Sequence, residues 1–156
     1  MIELSEELQL LRESVRRLAR DEIAPRAAEI DRAGEFSHEV AGRLWDLGLL
    51  TLTLPPEQGG MEGQRCTALC VCVEEVAKVC AASALTLIIQ AVGAFPIVHA
   101  GSPEVHAAYL PRLSEGRTLA AYLVTEPGAG SDVSGLRTTA TRDGDEWVLD
   151  GTKCFA

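Results

Sequence analysis

The densest run of chemically capable residues in this sequence is Thr125-Glu126-Pro127-Gly128-Ala129-Gly130-Ser131-Asp132. Gly128 and Gly130 let the backbone come close to a ligand. Successive N–H groups in such a loop can cradle an anion. Thr125 and Ser131 add hydroxyls that both donate and accept. The known phosphate fingerprints fail here. A dinucleotide-binding loop needs a third glycine where Val133 stands, and a P-loop needs Gly-Lys-Ser or Gly-Lys-Thr, which the sequence lacks. On chemistry alone an ordinary surface turn explains the same residues at least as well.

Five cysteines form the next candidate set: Cys66, Cys70, Cys72, Cys80 and Cys154. They contain no Cys-x-x-Cys pair and no neighbouring histidine, so the spacing does not match a zinc site. Cys66, Cys70 and Cys80 are expected on one helical face with Val73 and Ala77, acting as small buried hydrophobes. His38, His99 and His106 are isolated and suit surface or helix-packing roles.

The chain has 156 residues, about one domain by length, with 47% hydrophobic and 4% aromatic residues. Its core must therefore be built from Leu, Val, Ile and Ala. Lys plus Arg number 14 against 23 Asp plus Glu, a net charge of −9, which disfavours phosphate backbones and so a nucleic-acid partner. The first thirty residues hold no continuous apolar run of the kind a signal peptide needs. The longest apolar stretch, residues 84–98, is broken by Gln90, Gly93 and Pro96. It reads as too short for a membrane span and as a buried core helix instead. An odd cysteine count without such a leader points to reduced thiols and a cytoplasmic location.

The elements that must position these residues change character along the chain. Leu4, Leu8, Leu11, Val15 and Leu18 recur at helical spacing behind a Ser5 cap. Pro25 interrupts that unit and Gly34 ends it. Ser37 caps a third segment with Val40, Leu44 and Leu47 inward, stopped by Gly48. Pro55-Pro56-Glu57-Gln58-Gly59-Gly60 is a loop. Helices follow near residues 65–79 and 83–100, the second apolar on every side and so expected to be buried all round. Pro96 is a possible kink. Ser102-Pro103-Glu104 starts a last helix that runs to about Ser114, before Gly116. Residues 118–125 then read as a short strand. Asp143-Gly144 reads as a hairpin turn, with Trp147 and Leu149 sharing one face of the strand after it. Asp150-Gly151 is a second turn, with a further strand starting at Lys153, about four strands in all. Helices followed by strands make the fold class α+β: an all-α helical bundle over residues 1–116, then the opening antiparallel strands of a β-barrel domain over 117–156.

Four segments in order resemble the acyl-CoA dehydrogenase family. They are Pro56-Glu57-Gln58-Gly59-Gly60, Tyr109-Leu110-Pro111-Arg112-Leu113 with Gly116, the stretch from Tyr122 through Thr125 to Asp132, and Leu149-Asp150-Gly151-Thr152-Lys153. The resemblance implies a flavoprotein that binds FAD between a β-barrel and helical domains and dehydrogenates the α and β carbons of an acyl-CoA. A carboxylate takes the α-proton and hydride passes to flavin N5. It implies Tyr122, Val124 and Thr125 against the flavin ring, and Gly130 and Ser131 near the flavin phosphates and the CoA arm. Phe155 stands where the family usually has a Trp on the ring, which keeps the stacking surface and loses the indole donor. Leu85, Ile88, Ile89 and Val92 would wall the acyl pocket, with plain core packing an equal reading for each. Glu126 matches a structural position and is not named as the base.

The family's catalytic glutamate lies in a C-terminal helical domain that has no counterpart in these residues. The expectation is that this chain alone is not a competent dehydrogenase and leaves an open sheet edge. An electron-transfer flavoprotein is the implied acceptor, and a homo-oligomer the implied state of the full-length protein. Two other readings stand beside this one: a non-catalytic helical module or split subunit needing a partner chain, and, within the family, an oxidase using molecular oxygen.

Overall fold

The side chain of Ser5 accepts the Leu8 N–H and opens helix α1, Glu6–Leu18, with Glu6 and Glu7 in its positive first turn. The computed structural model describes residues 3–115 and 117–155. The chain forms two units, Met1–Ala120 and Ala121–Ala156.

In the first unit, α1 does not break at Pro25. A π-turn at Ala19–Ile23 and a 3₁₀ turn at Ala24–Arg26 carry it into α2, Ala27–Ala33. Proline lacks an N–H, and these two altered turns absorb the lost bond. Gly34 ends α2 in the left-handed region, φ 63°. Ser37 caps α3, His38–Asp46. The unit continues with α4, Arg65–Ala77, then α5, Ala81–Ala100, and α6, Pro103–Ser114. Helix α4 packs against α1 on one side and α5 on the other, and α6 packs on α5. The main core joins Val15, Leu18 and Ile23 to Leu44, Leu50, Val76 and Leu87. A smaller cluster joins Leu54, Ala94, Leu110 and Leu113.

One charge lies inside this apolar frame. The Glu75 carboxylate, its side chain 2% exposed, accepts both Arg16 Nε and Nη2 at 3.0 Å and Lys78 Nζ at 2.9 Å. The fork of Arg16 from α1 thus clamps α4, and it is the first of the causes that hold the Glu75 carboxyl at about 2.

Several expectations need correction. Helix α5 is not buried all round: Leu85 is 52% exposed, and Ile88 and Ile89 are exposed beside it. Its buried side carries Leu87, Gln90, Ala91 and Ala94. At 20 residues α5 is also longer than the apolar run, and by length and composition it meets the requirement for crossing a bilayer. Within this unit it serves as a helix packed between α4 and α6. Pro96 sits inside the helix without ending it. Leu47 faces outward, because α3 ends at Asp46 and Leu47 already belongs to the turn. Cys80 shares no helical face with Cys66 and Cys70, since α4 stops at Ala77. Cys72 and Cys80 are buried, whereas Cys66 and Cys70 are exposed.

The second unit contains a two-stranded antiparallel hairpin, β1 Thr139–Asp143 and β2 Glu146–Asp150, paired from Thr139↔Asp150 to Asp143↔Glu146. The turn is Gly144-Asp145, one residue later than the sequence pair suggests. Gly144 supplies the left-handed φ of 59° at the first central position. Residues 118–125 and 151–155 are extended or irregular and form no ladder. A strand exists only through its partner, and segment 118–125 gains one backbone bond from the tail, Cys154 N–H to the Thr125 carbonyl at 2.9 Å. Phe155, at φ 57°, leaves strand geometry altogether. The described sheet therefore has two strands, not four. The mostly helical chain with its antiparallel pair is the α+β class that the sequence pattern implies.

Candidate functional site

Glu126 organises the second unit. Its backbone exchanges both hydrogen bonds with Ala129, which closes residues 126–129 into a tight loop. Its carboxylate accepts the Arg137 N–H at 2.8 Å, the Thr138 N–H at 2.9 Å and Lys153 Nζ at 2.8 Å. Lys153 also donates to the Val124 carbonyl at 2.9 Å. The Lys153 ammonium above all, with the Thr138 side chain and the Arg137 and Thr138 amides beside it, holds the Glu126 carboxyl far below the usual carboxylate range. A carboxylate held so strongly in its ionised form lacks the proton affinity of a general base. The structural role expected of Glu126 is what the geometry shows.

Around this hub the candidate residues stay accessible. Tyr122 and Ser131 are exposed, Val124 and Thr125 half-buried, and Phe155 is 93% exposed. Among the described residues, the N–H groups of Gly128, Gly130 and Ser131 and the hydroxyls of Thr125 and Ser131 meet no acceptor or donor. A Cβ added at Gly128 or Gly130 would meet nothing, so the loop surface is open. Asp132, by contrast, is spent on Ser134, capping a short 3₁₀ turn.

The apolar candidates lie in the first unit on α5. Leu85 and Ile89 line a cavity of about 190 Å³ with Phe36, Thr86, Gln90 and Leu119, and the surface it exposes is apolar. Ile88 is exposed and Val92 half-buried on the same helix, and neither lines that cavity. The structure thus brings two of the four together.

Residues 5–117 match the family model for the acyl-CoA dehydrogenase N-terminal domain, and residues 121–156 match that for the acyl-CoA dehydrogenase middle domain. The chain belongs to the acyl-CoA dehydrogenase family. It is 57% identical over 156 residues to a cyclohexane-1-carbonyl-CoA dehydrogenase of Geobacter metallireducens, covering 100% of this chain and 41% of that protein. It superposes on a glutaryl-coenzyme A dehydrogenase in complex with glutaryl-CoA with a TM-score of 0.89 at 34% identity, covering 98% of this chain and 40% of the other. An acyl-CoA dehydrogenase of Bacillus anthracis complexed with FAD gives 0.82 at 32% identity, over 97% and 26%. The chain spans about two fifths of the length of the curated relatives it matches.

Within this chain of the acyl-CoA dehydrogenase family, the sequence pattern gives no role to two residues that the structure makes central. Lys153 stood only as the end of a turn motif, although a buried-side partner for Glu126 needed a cation. Gln90 stood only as an interruption of an apolar run. A polar residue on the inward face of an apolar helix was the available signal, because buried amides must find partners.

Proposed function

We propose that this chain forms the helical and flavin-holding part of an FAD-dependent dehydrogenase of acyl-CoA thioesters, with alicyclic carboxyl-CoA esters as its substrate class. The observation that carries the reading is the unspent donor set on the Glu126 hub. Three loop amides and two hydroxyls are open and unpaired among the described residues, which fits a diphosphate and the polar edge of a flavin ring. Bound FAD supplies the two-electron acceptor for α,β-dehydrogenation.

The chain's own residues then divide the work. Tyr122, Val124 and Thr125 hold the ring, with the Thr125 hydroxyl as its hydrogen-bonding group. Gly130 and Ser131 bind the phosphates, and Ser131 also reaches the CoA arm. Phe155 stacks on the ring without donating to it. Leu85, Ile88, Ile89 and Val92 exclude water from the acyl group. The 57% identity to a protein named for cyclohexane-1-carbonyl-CoA supports an alicyclic substrate, as does the absence of charge on α5. Glu126, held ionised by Lys153, does not serve as the proton-abstracting base, which this reading places outside these residues. An electron-transfer flavoprotein reoxidises the cofactor.

Purifying the protein that carries this chain tests the reading. A yellow sample with a flavin absorption band should oxidise cyclohexane-1-carbonyl-CoA faster than straight-chain thioesters with an artificial electron acceptor, and release no peroxide in air. A protein that stays colourless after incubation with FAD ends the flavin reading. Peroxide release would make it an oxidase.

A further inference from the structure

Gln90 is the buried polar side chain near the middle of α5, at 2% exposure. A primary amide carries donors and an acceptor, and leaving them unmet in a core is destabilising. One backbone segment meets both ends. Gln90 Oε1 accepts the Ala120 N–H at 2.8 Å, and Gln90 Nε2 donates to the Thr118 carbonyl at 3.3 Å. The two bonds straddle Leu119. Among the described residues, the other ties of this segment are the Thr118 N–H on the Arg112 carbonyl at 3.0 Å, the exposed Arg117–Asp46 ion pair and the packing of Ala120 on the smaller core cluster. Leu119 in turn lines the apolar cavity of about 190 Å³ together with Leu85 and Ile89. Gln90 and Ala120 line the same cavity, so the two bonds join residues of one wall.

Building on the dehydrogenase reading above, we infer that Gln90 is a specificity-determining positioning residue. It pins the segment carrying Leu119 to α5 and thereby fixes the bulk of acyl group the cavity accepts. Gln90 also lines the cavity, but at 2% exposure its amide is spent on the two backbone bonds, and it acts through the position it gives Leu119. An apolar residue of the same length would leave the Ala120 N–H and Thr118 carbonyl without a side-chain partner and free the wall to move outward.

The test uses Gln90→Met in the flavin-loaded full-length protein. The preference for a six-membered alicyclic thioester over one bearing a bulkier apolar group, read as a ratio of kcat/KM values, should fall about tenfold, within the range one misfitted apolar group commands. The change should lie in KM for the smaller ester, with kcat and the flavin absorption band unmoved. Gln90→Glu keeps the acceptor for Ala120 but opposes the Thr118 carbonyl, and should fall between the two. If kcat/KM for every ester drops by one common factor, or the ratio holds, the inference is overturned. Should Gln90→Met fail to fold, Leu119→Ala carries the same test: it should move the ratio the same way, and an unchanged ratio overturns the inference. Amide exchange at Ala120 reads the clamp apart from the chemistry. Protection lost in Gln90→Met supports it, and equal exchange in both proteins removes it. A protein that turns over no acyl-CoA yet keeps that protection difference defeats the dehydrogenase reading and leaves the clamp standing.

Discussion

Glu75 and Glu126 are buried carboxylates with cationic partners, and they hold different things together. Glu75 ties α1 to α4 through Arg16 and Lys78, and its carboxyl stands at about 2 against an ordinary 4.5. A depressed folded-state value contributes stability above the unfolded value and loses it as pH falls. The contribution is therefore complete above about pH 4.5 and disappears progressively toward pH 2. Its size is on the order of 2–3 kcal/mol, the lower side of the linkage arithmetic, because the half-exposed partners are screened. Glu75→Gln should lower stability by that amount at neutral pH and flatten the acid limb, measured by urea unfolding across pH. An unchanged acid limb would show that the clamp adds nothing. Such pairs were hard to see beforehand. Arg16 and Glu75 are 59 positions apart, and no local pattern links them. Only the packing of α1 on α4 brings them together.

At the scale of elements, local signals were legible and pairing was not. Ser5, Ser37 and Ser102 each cap the helix the sequence announces, because a cap needs only its own next three residues. Residues 118–125 look like a strand, yet a strand needs a neighbour, and the segment instead lies partly under the Gln90 amide and partly beside Cys154. The Gly59-Gly60 loop was legible as a turn but not for its reason. A Cβ on Gly60 would fall inside the Leu54 carbonyl, so the loop closes against backbone that cannot yield. Gly42, inside α3, meets nothing within 4 Å. The two glycines should therefore respond oppositely to alanine. Gly60→Ala should destabilise by more than about 1 kcal/mol. Gly42→Ala should stabilise by roughly 0.5–1 kcal/mol, since glycine in a helix interior wastes backbone entropy. Paired thermal unfolding reads both signs, and a loss at Gly42 would contradict the open space seen there.

At the scale of the whole molecule the two units are held by different physics. The first has an apolar core spanning α1, α3, α4 and α5. The second buries only Glu126 and Ala129 among its described residues, while Tyr122, Trp147, Leu149 and Phe155 are all exposed. Its order rests on one carboxylate, one ammonium and a hairpin, with little burial to resist opening. That contrast was invisible in composition, because apolar residues are plentiful in both halves and only the fold decides which are covered. It also dictates where a cofactor should be felt. A ligand stabilises the opening it prevents by RT ln(1 + [L]/Kd), so free FAD at 100 times its Kd slows exchange through that opening about a hundredfold. If FAD sits on the loop amides, apo-protein reloaded with FAD should show slowed exchange at Gly128, Gly130 and Ser131, whose N–H groups have no acceptor among the described residues. The amides of Val15 and Val76, inside a core that needs no ligand, should exchange at the same rate with and without it. Protection confined to α1 and α4, with the loop unchanged, would move the flavin away from Thr125, Gly130 and Ser131 and leave the Glu126 hub as a purely structural clasp.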